Sequence, residues 1–396
     1  MKRYILGGIV LLAVCSVSQA QQPIERILES VAANNKGIKA VQEQAVADRA
    51  ALSAANSLEN PTFDFEYLWG EQHIPGGNKY GFSIMQGFDF PSLYVQRNKI
   101  AGAQEMLGDR QVRYARQNTL LQARELCIKL VYLNRQIELV TKRVAIADTL
   151  AALYNRRLDE GDANRIEVNK VELERLSQTT RLKLLQNEQK NALAALVACN
   201  GGLALPVSGD ALMEYPVMVA PASEQEAVAV WQQQDASLQL LRQQQTMAEM
   251  QVSVARQGWI PKFELGYKQS YEEGDMFYGF AVGISLPLFK TRSEVKAERA
   301  RALSQAWQTE EVAVQRSSEA LQLYREVTAL QSALQDYSLL AKQDNRTLLM
   351  KALQSGQISL LEYMTDMAQL NAIDEDRLLI EYQYYSKLSE LDRYNL

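Results

Sequence analysis

Apolar and polar residues along this chain follow two rhythms, and each rhythm occurs twice. Leu126, Leu130, Leu133, Ile137, Val140, Val144, Ala147, Ala151, Tyr154 and Leu158 alternate steps of four and three, which is the seam of a coiled coil. Leu323, Val327, Leu330, Leu334, Tyr337 and Ala341 repeat it. Elsewhere the period is two. Phe63, Phe65, Tyr67 and Trp69 alternate with Thr62, Asp64 and Glu66, and the chain returns with Tyr80, Phe82, Ile84, Phe88 and Phe90 opposite Gly81, Ser83, Gly87 and Asp89. A second pair sets Phe263, Leu265, Tyr267 and Tyr271 against Lys262, Glu264, Lys268 and Ser270, and returns through Tyr278, Phe280, Val282, Ile284 and Leu286. Such alternation predicts strands with one apolar face. The polar stretches His73 to Asn78 and Glu272 to Asp275 make each pair a hairpin.

The two halves are copies of one unit. A shift of 200 residues sets Ile38 on Leu238, Leu52 on Val252, Pro61 on Pro261, Phe63 on Phe263 and Tyr67 on Tyr267. With a slightly smaller offset Gly161 falls on Gly356. A repeat of this size means a duplicated structural unit. The first helix is expected from about Ile24 to Asn56, closed by Asn60-Pro61, since a residue before proline avoids the α region. The expected layout is a leader over 1–20 and a first unit over 21–200. That unit holds a helix, a hairpin over 62–90, a long helix over 93–158 and a helix over 163–199. A crossover over 201–223, rich in Gly and Pro, leads to a second unit over 224–396. This one holds a helix, a hairpin over 262–286 and helices over 290–354 and 358–391. The fold class expected is mainly α with membrane β.

Strands of about ten residues with one aromatic face match the ~9–11 residues that a tilted membrane strand requires. On these hairpins Phe63, Phe65, Tyr67, Phe82, Phe263, Leu265, Tyr267 and Phe280 are the expected lipid-facing residues. Four strands leave two open edges, and an open edge cannot sit in hydrocarbon, where unpaired N–H and C=O groups find no water. One copy is too small for a closed barrel, so several must share one.

Composition narrows the function. Lys2 and Arg3, the apolar run Ile5 to Val17 and Ser18-Gln19-Ala20 have the form of a cleaved export signal, too short to span a bilayer. Val14 stands where a lipidation motif at Cys15 wants a small residue. Loss of Lys2 and Arg3 takes the formal charge from −5 to −7. With no basic run, nothing points to a nucleic-acid partner. One histidine, His73, and two scattered cysteines beyond the leader, Cys127 and Cys199, make no metal or redox spacing. No hydrolase or phosphate-binding constellation is present, so neither enzyme activity nor a cofactor is expected.

In this arrangement the chain resembles the TolC-like outer membrane factor family. The likeness rests on the doubled layout, on hairpins ending in Phe90-Pro91 and Leu286-Pro287, and on two turn segments. These are Tyr154 to Gly161 and Leu353 to Glu362. The resemblance implies a homotrimer in the outer membrane of a Gram-negative cell, with a twelve-stranded barrel and a periplasmic helical tunnel. It further implies docking to a periplasmic adaptor (membrane fusion) protein and an inner-membrane pump such as an RND or ABC transporter. It places the adaptor-docking tip at Leu158, Gly161, Leu353 and Gly356. Glu362 and Asp366, four apart on one helical face, are the expected carboxylate gate. The rival expectation is a soluble periplasmic coiled-coil structural or adaptor protein. The substrate, whether drug, metal ion or another exported molecule, is not written in these patterns.

Overall fold

The computed structural model describes residues 23–70, 77–272, 274–287, 289, 291–340 and 345–396. The expected leader over 1–20, with Cys15, and the residues His73 and Ala341 lie outside these. The elements run α1 (Pro23–Asn34), α2 (Lys36–Ala55), β1 (Thr62–Leu68), β2 (Lys79–Phe88), α3 (Pro91–Glu160) and α4 (Arg165–Cys199). They continue with α5 (Glu224–Gln234), α6 (Ala236–Gln257), β3 (Lys262–Glu272), β4 (Asp275–Ser285), α7 (Thr291–Leu340), α8 (Asn345–Gln354) and α9 (Leu360–Leu391). With 70 residues, α3 is roughly 105 Å long at 1.5 Å per residue.

The first helix differs from expectation: it is broken at Asn35. That residue is extended (φ −62°, ψ 123°), and its side chain accepts the Ile38 N–H at the start of α2. Its amide also donates to the Cys199 carbonyl at 2.8 Å. Two hundred residues on, Asp235 (φ −59°, ψ 120°) divides α5 from α6 in the same way, capping Leu238. Asn and Asp compete with helical hydrogen bonds through their side chains, which suits them to caps over helix interiors. A 3.6-residue apolar rhythm runs through such a break undisturbed, so periodicity alone hides it.

The sheet is antiparallel in the order β1-β2-β3-β4, and among the described residues the outer edges of β1 and β4 are unpaired. The helices carry that order downward. Next to the sheet, α2 packs on α3, α3 on α6 and α6 on α7; further on, α4 packs on α3, α3 on α9, and α9 on both α7 and α8. The chain thus has one flank of β1, α2 and α4, and an opposite flank of β4, α7 and α8.

The core is thickest at the waist. Ile24, Ile27, Leu130, Val131 and Leu196 gather there with Leu212 and Tyr215 of the crossover. The crossover is bound to α3: the buried Asn134 amide donates to both the Gly209 and Leu212 carbonyls at 2.8 Å. Cys127 belongs to this core, and burial pushes its thiol up to about 12. The C-terminus closes the waist. Arg124 of α3 bonds Asp392 at 2.9 Å and Ser389 Oγ at 2.8 Å, while Arg393 pairs with Asp235 and lies 4.2 Å over the Trp231 ring.

Both partners of the Arg124–Asp392 pair are buried. Removing one partner of such a pair costs about 3–5 kcal/mol because a charge is left uncompensated. Asp392→Ala is expected to lower the unfolding midpoint accordingly, with Asp392→Asn losing less because a hydrogen bond to Arg124 survives.

Candidate functional site

The register joins the four strands into a single two-faced surface. Phe63 pairs with Ile84, Ile84 with Tyr267 and Tyr267 with Phe280; Tyr67, Tyr80, Tyr271 and Met276 form a parallel row. Partners directly opposite in antiparallel strands share a face. The aromatic residues of all four strands, Phe277 apart, therefore lie on one side, with Gln86 and Gln269 as the polar residues among them. Rings stack across the strands, with Phe63–Phe82 and Phe88–Phe263 centroids 6.0 Å apart and Tyr80–Tyr271 at 5.0 Å. None of the described residues covers this face: Phe65 is 66% and Phe280 90% exposed. An apolar surface this broad marks an interaction with a partner or membrane.

The opposite face is polar or small apart from Leu68, Met85 and Phe277. Its rows read Asp64, Ser83, Lys268, Gly279 and Glu66, Gly81, Ser270, Phe277. Glycine is required where strands approach closely, since a Cβ on Gly266 would come within 2.3 Å of the Ile84 carbonyl oxygen. At the base of the sheet, Lys262 binds Glu59 at 2.8 Å and Arg97 binds Asp89 at 2.8 Å, fixing the strands to the start of α3.

At the far end of the molecule α3 turns into α4, and α8 into α9, by the same device. Gly161 (φ 82°) and Gly356 (φ 73°) adopt the left-handed conformation. Behind each glycine the next N–H reaches back to a carbonyl of the last turn, Asp162 to Arg157 at 2.7 Å and Gln357 to Ala352 at 2.9 Å, a Schellman closure. Three residues beyond each glycine a capping box opens the next helix, Asn164 with Glu167 and Ser359 with Glu362. The Glu362 carboxylate accepts the Ser359 N–H at 2.8 Å, and that bond holds its pKa below the usual carboxylate value.

Between the two helical hairpins runs a cleft bounded by α3, α4 and α9. Glu375 of α9 pairs with Arg143 of α3 and, at 2.6 Å, with Arg181 of α4. Arg143 also donates to the Asn371 carbonyl at 2.9 Å. Higher up, Arg135 pairs with Glu381 at 2.7 Å. Burial raises the Glu375 pKa, but hydrogen bonds and charge from Arg181 and Arg143 outweigh it and hold the carboxyl below its ordinary value. Among the described residues no His, Cys, Asp and Glu cluster could hold a metal, and no helix is long and apolar enough to cross a membrane.

No protein-family model matches the sequence, and no curated protein sequence matches it. Solved structures do. The outer-membrane channel OprN superposes with a TM-score of 0.77 at 11% identity, covering 94% of this chain and 89% of that one. The outer membrane protein VceC of Vibrio cholerae gives 0.72 at 16% identity, covering 94% of each chain. The open-state MtrE channel of Neisseria gonorrhoeae gives 0.75 at 13%, covering 94% and 88%. The fold is that of the TolC-like outer-membrane channels. Identities this low carry the backbone path alone, so the chemistry must be taken from this chain's own residues.

Within its TolC-like fold the residues singled out by sequence fall in three places. Phe63, Phe65, Tyr67, Phe82, Phe263, Leu265, Tyr267 and Phe280 share the exposed aromatic face. Gly161 and Gly356 sit at the two tips, but Leu353 is buried and Leu158 packs against the same cluster. The exposed apolar side chains there are Ile166 and Leu361, 67% and 59% exposed, each five residues past its glycine. Glu362 and Asp366 are exposed on one face of α9, with Glu362 engaged as a cap. The Arg143–Glu375–Arg181 link leaves no trace in the sequence, because its members lie on three helices.

Two outcomes follow. A Cβ at Gly356 would meet no atom within 4 Å, so Gly356→Ala isolates the left-handed backbone cost of about 1–2 kcal/mol, read as a lowered melting temperature. The contribution of Glu375 needs its charged form, and its native pKa is depressed. The stability gap between wild type and Glu375→Gln is therefore complete above about pH 4.3, the unperturbed value for Glu, and closes as pH falls through the native pKa; urea titrations across pH 7 to 3 measure it.

Proposed function

We propose that this chain is one subunit of an outer-membrane channel that conducts exported molecules from the periplasm or an inner-membrane pump to the cell exterior. The observation that carries the proposal is the uncovered aromatic face spanning all four strands, bounded by two unpaired edges. A sheet wetted by lipid must close, because its edge N–H and C=O groups find no other partners in hydrocarbon. Two copies would make eight strands, an interior just wide enough for side chains to fill; three make twelve and leave a lumen. A homotrimer is therefore the assembly proposed.

In that trimer the flank of β1, α2 and α4 meets the next copy's flank of β4, α7 and α8. Exposed apolar residues on both flanks support this, Val46, Leu173, Leu176 and Leu184 on one and Leu303, Trp307, Val314 and Leu348 on the other. The polar strand face lines the barrel, and the long helices extend its wall into the periplasm.

The tips at Gly161 and Gly356 are proposed to dock a periplasmic adaptor, itself bound to an inner-membrane pump of the RND or ABC type. Leu158 and Leu353 support the turns from within, and Ile166 and Leu361 are the residues offered to the adaptor. Opening then separates α9 from α3 and α4, against the bonds of Glu375 to Arg143 and Arg181. An adaptor that binds the parted state better shifts the equilibrium toward it. Glu362 and Asp366, exposed beside the second turn, are proposed to line the periplasmic mouth. No step calls for catalysis or a cofactor.

The test is reconstitution of the detergent-extracted protein. The expected result is a membrane-fraction oligomer that dissociates on heating and conducts ions in planar bilayers. A water-soluble monomer would overturn the proposal in favour of a periplasmic coiled-coil protein. In the same bilayers Glu375→Gln is expected to raise conductance, and Glu362→Ala with Asp366→Ala to weaken block by multivalent cations. Unchanged block would take the acidic pair out of the mouth.

A further inference from the structure

The duplication reaches beyond layout. Helix α2 packs on α3 as α6 packs on α7, and the breaks at Asn35 and Asp235 mark α2 and α6 as equivalents. The chain is thus two like units side by side, joined where α3 meets α6. Three copies closed into a ring alternate these units, and each step between copies sets α7 of one against α2 of the next. The junction inside the chain is therefore a pattern for the junction that the chain cannot make alone.

That inner junction is apolar. Ile100, Ala103 and Leu107 of α3 pack with Leu240, Met247 and Met250 of α6. Two hydrogen bonds set its level, from Gln243 to the Ala103 carbonyl at 3.0 Å and from Arg110 to Gln239, and Leu107 and Leu240 fall between them. A shift of 200 carries Gln239, Leu240, Gln243, Met247 and Met250 onto Lys39, Ala40, Glu43, Ala47 and Ala50. A shift of 196, set by Pro91 on Pro287, carries Ile100, Ala103 and Leu107 onto Lys296, Arg299 and Leu303. All eight are exposed in the single chain.

The exchanges compensate one another. Leucine and methionines on one side become alanines, while the other side gains Trp307, one turn past Leu303. These two are 61% and 58% exposed. Bulky side chains on a face of alanines fill the space that methionines fill inside the chain. Charge agrees as well: Glu43 falls opposite Arg299, and among the described residues neither has an ion-pair partner of its own.

We infer that this chain docks a second copy of itself through α7 on α2, with Leu303 and Trp307 seated on Lys39 and Ala40 of the next copy and Arg299 paired with its Glu43. Lys39 then lies level with the indole, a cation over an aromatic face, and the Lys296 stem covers Ala47 and Ala50. This seam rests on the homotrimer proposed above and occurs three times in it.

The test uses the full-length protein in isolated outer membranes, oxidised with copper phenanthroline. Ala40→Cys combined with Leu303→Cys is expected to give covalent dimers and trimers on non-reducing denaturing gels, and neither single variant is. Ala54→Cys with Leu303→Cys, on the same α2 face but about four turns away, is expected to give none. Glu43→Arg sets two arginines together at each seam, so the oligomer should dissociate at a lower temperature; adding Arg299→Glu should restore it. An intact oligomer without the Ala40–Leu303 cross-link, or without rescue by Arg299→Glu, overturns the seam and leaves the channel proposal standing. A wild type with no membrane oligomer defeats that proposal itself.

Discussion

Backbone amides and carbonyls at a strand edge have to be paired, and in hydrocarbon only another strand can pair them. Among the described residues β1 and β4 end the sheet with nothing alongside, while the face between them is aromatic and aliphatic but for Gln86 and Gln269. Water would tolerate the open edges but penalise the aromatic surface; lipid would reward the surface and penalise the edges. The proposed closure with further copies resolves both, and the flanks below the sheet continue the same two edges through α2 and α4 on one side and α7 and α8 on the other.

The long helices make sense as the extension of that closure. A helix of 70 residues takes most of its stability from packed partners along its course. Partners change as α3 descends: α2 and α6 first, then α1 and the crossover at the waist, then α4 and α9. The waist is where the chain invests its buried polar interactions, Arg124 with Asp392 and Arg393 with Asp235. Towards the tip a cavity lies between the hairpins, which are joined there by ion pairs and by a second buried apolar cluster.

Duplication shows more clearly in special positions than in side-chain identity. Asn35 and Asp235 break the first helix of each half with the same backbone angles and the same cap. Gly161 with Asn164 and Glu167, and Gly356 with Ser359 and Glu362, build the same turn. Each is a place where local chemistry leaves few alternatives: a positive φ, an unsatisfied helix N-terminus, a kink that must be capped. Elsewhere the halves diverge, because a coiled-coil seam accepts any apolar residue of suitable size.

Much of this was legible from residues alone, and the reason is locality. Strand faces follow from a period of two, helix seams from steps of three and four, tips from a glycine that ends a long helix; each depends on neighbours within one turn or one strand. Sequence thereby determined the long helices, the aromatic hairpins and the positions of the turns, but not the breaks at Asn35 and Asp235. What only the tertiary structure decided depends on residues far apart in the chain. It showed all four aromatic faces to be one face, buried Leu353 while exposing Ile166 and Leu361, and turned Glu362 to its own helix cap. It also brought Glu375 to Arg143 and Arg181 across three helices. No periodicity encodes a meeting of that kind, because it is set by how the helices pack and not by what either helix requires for itself.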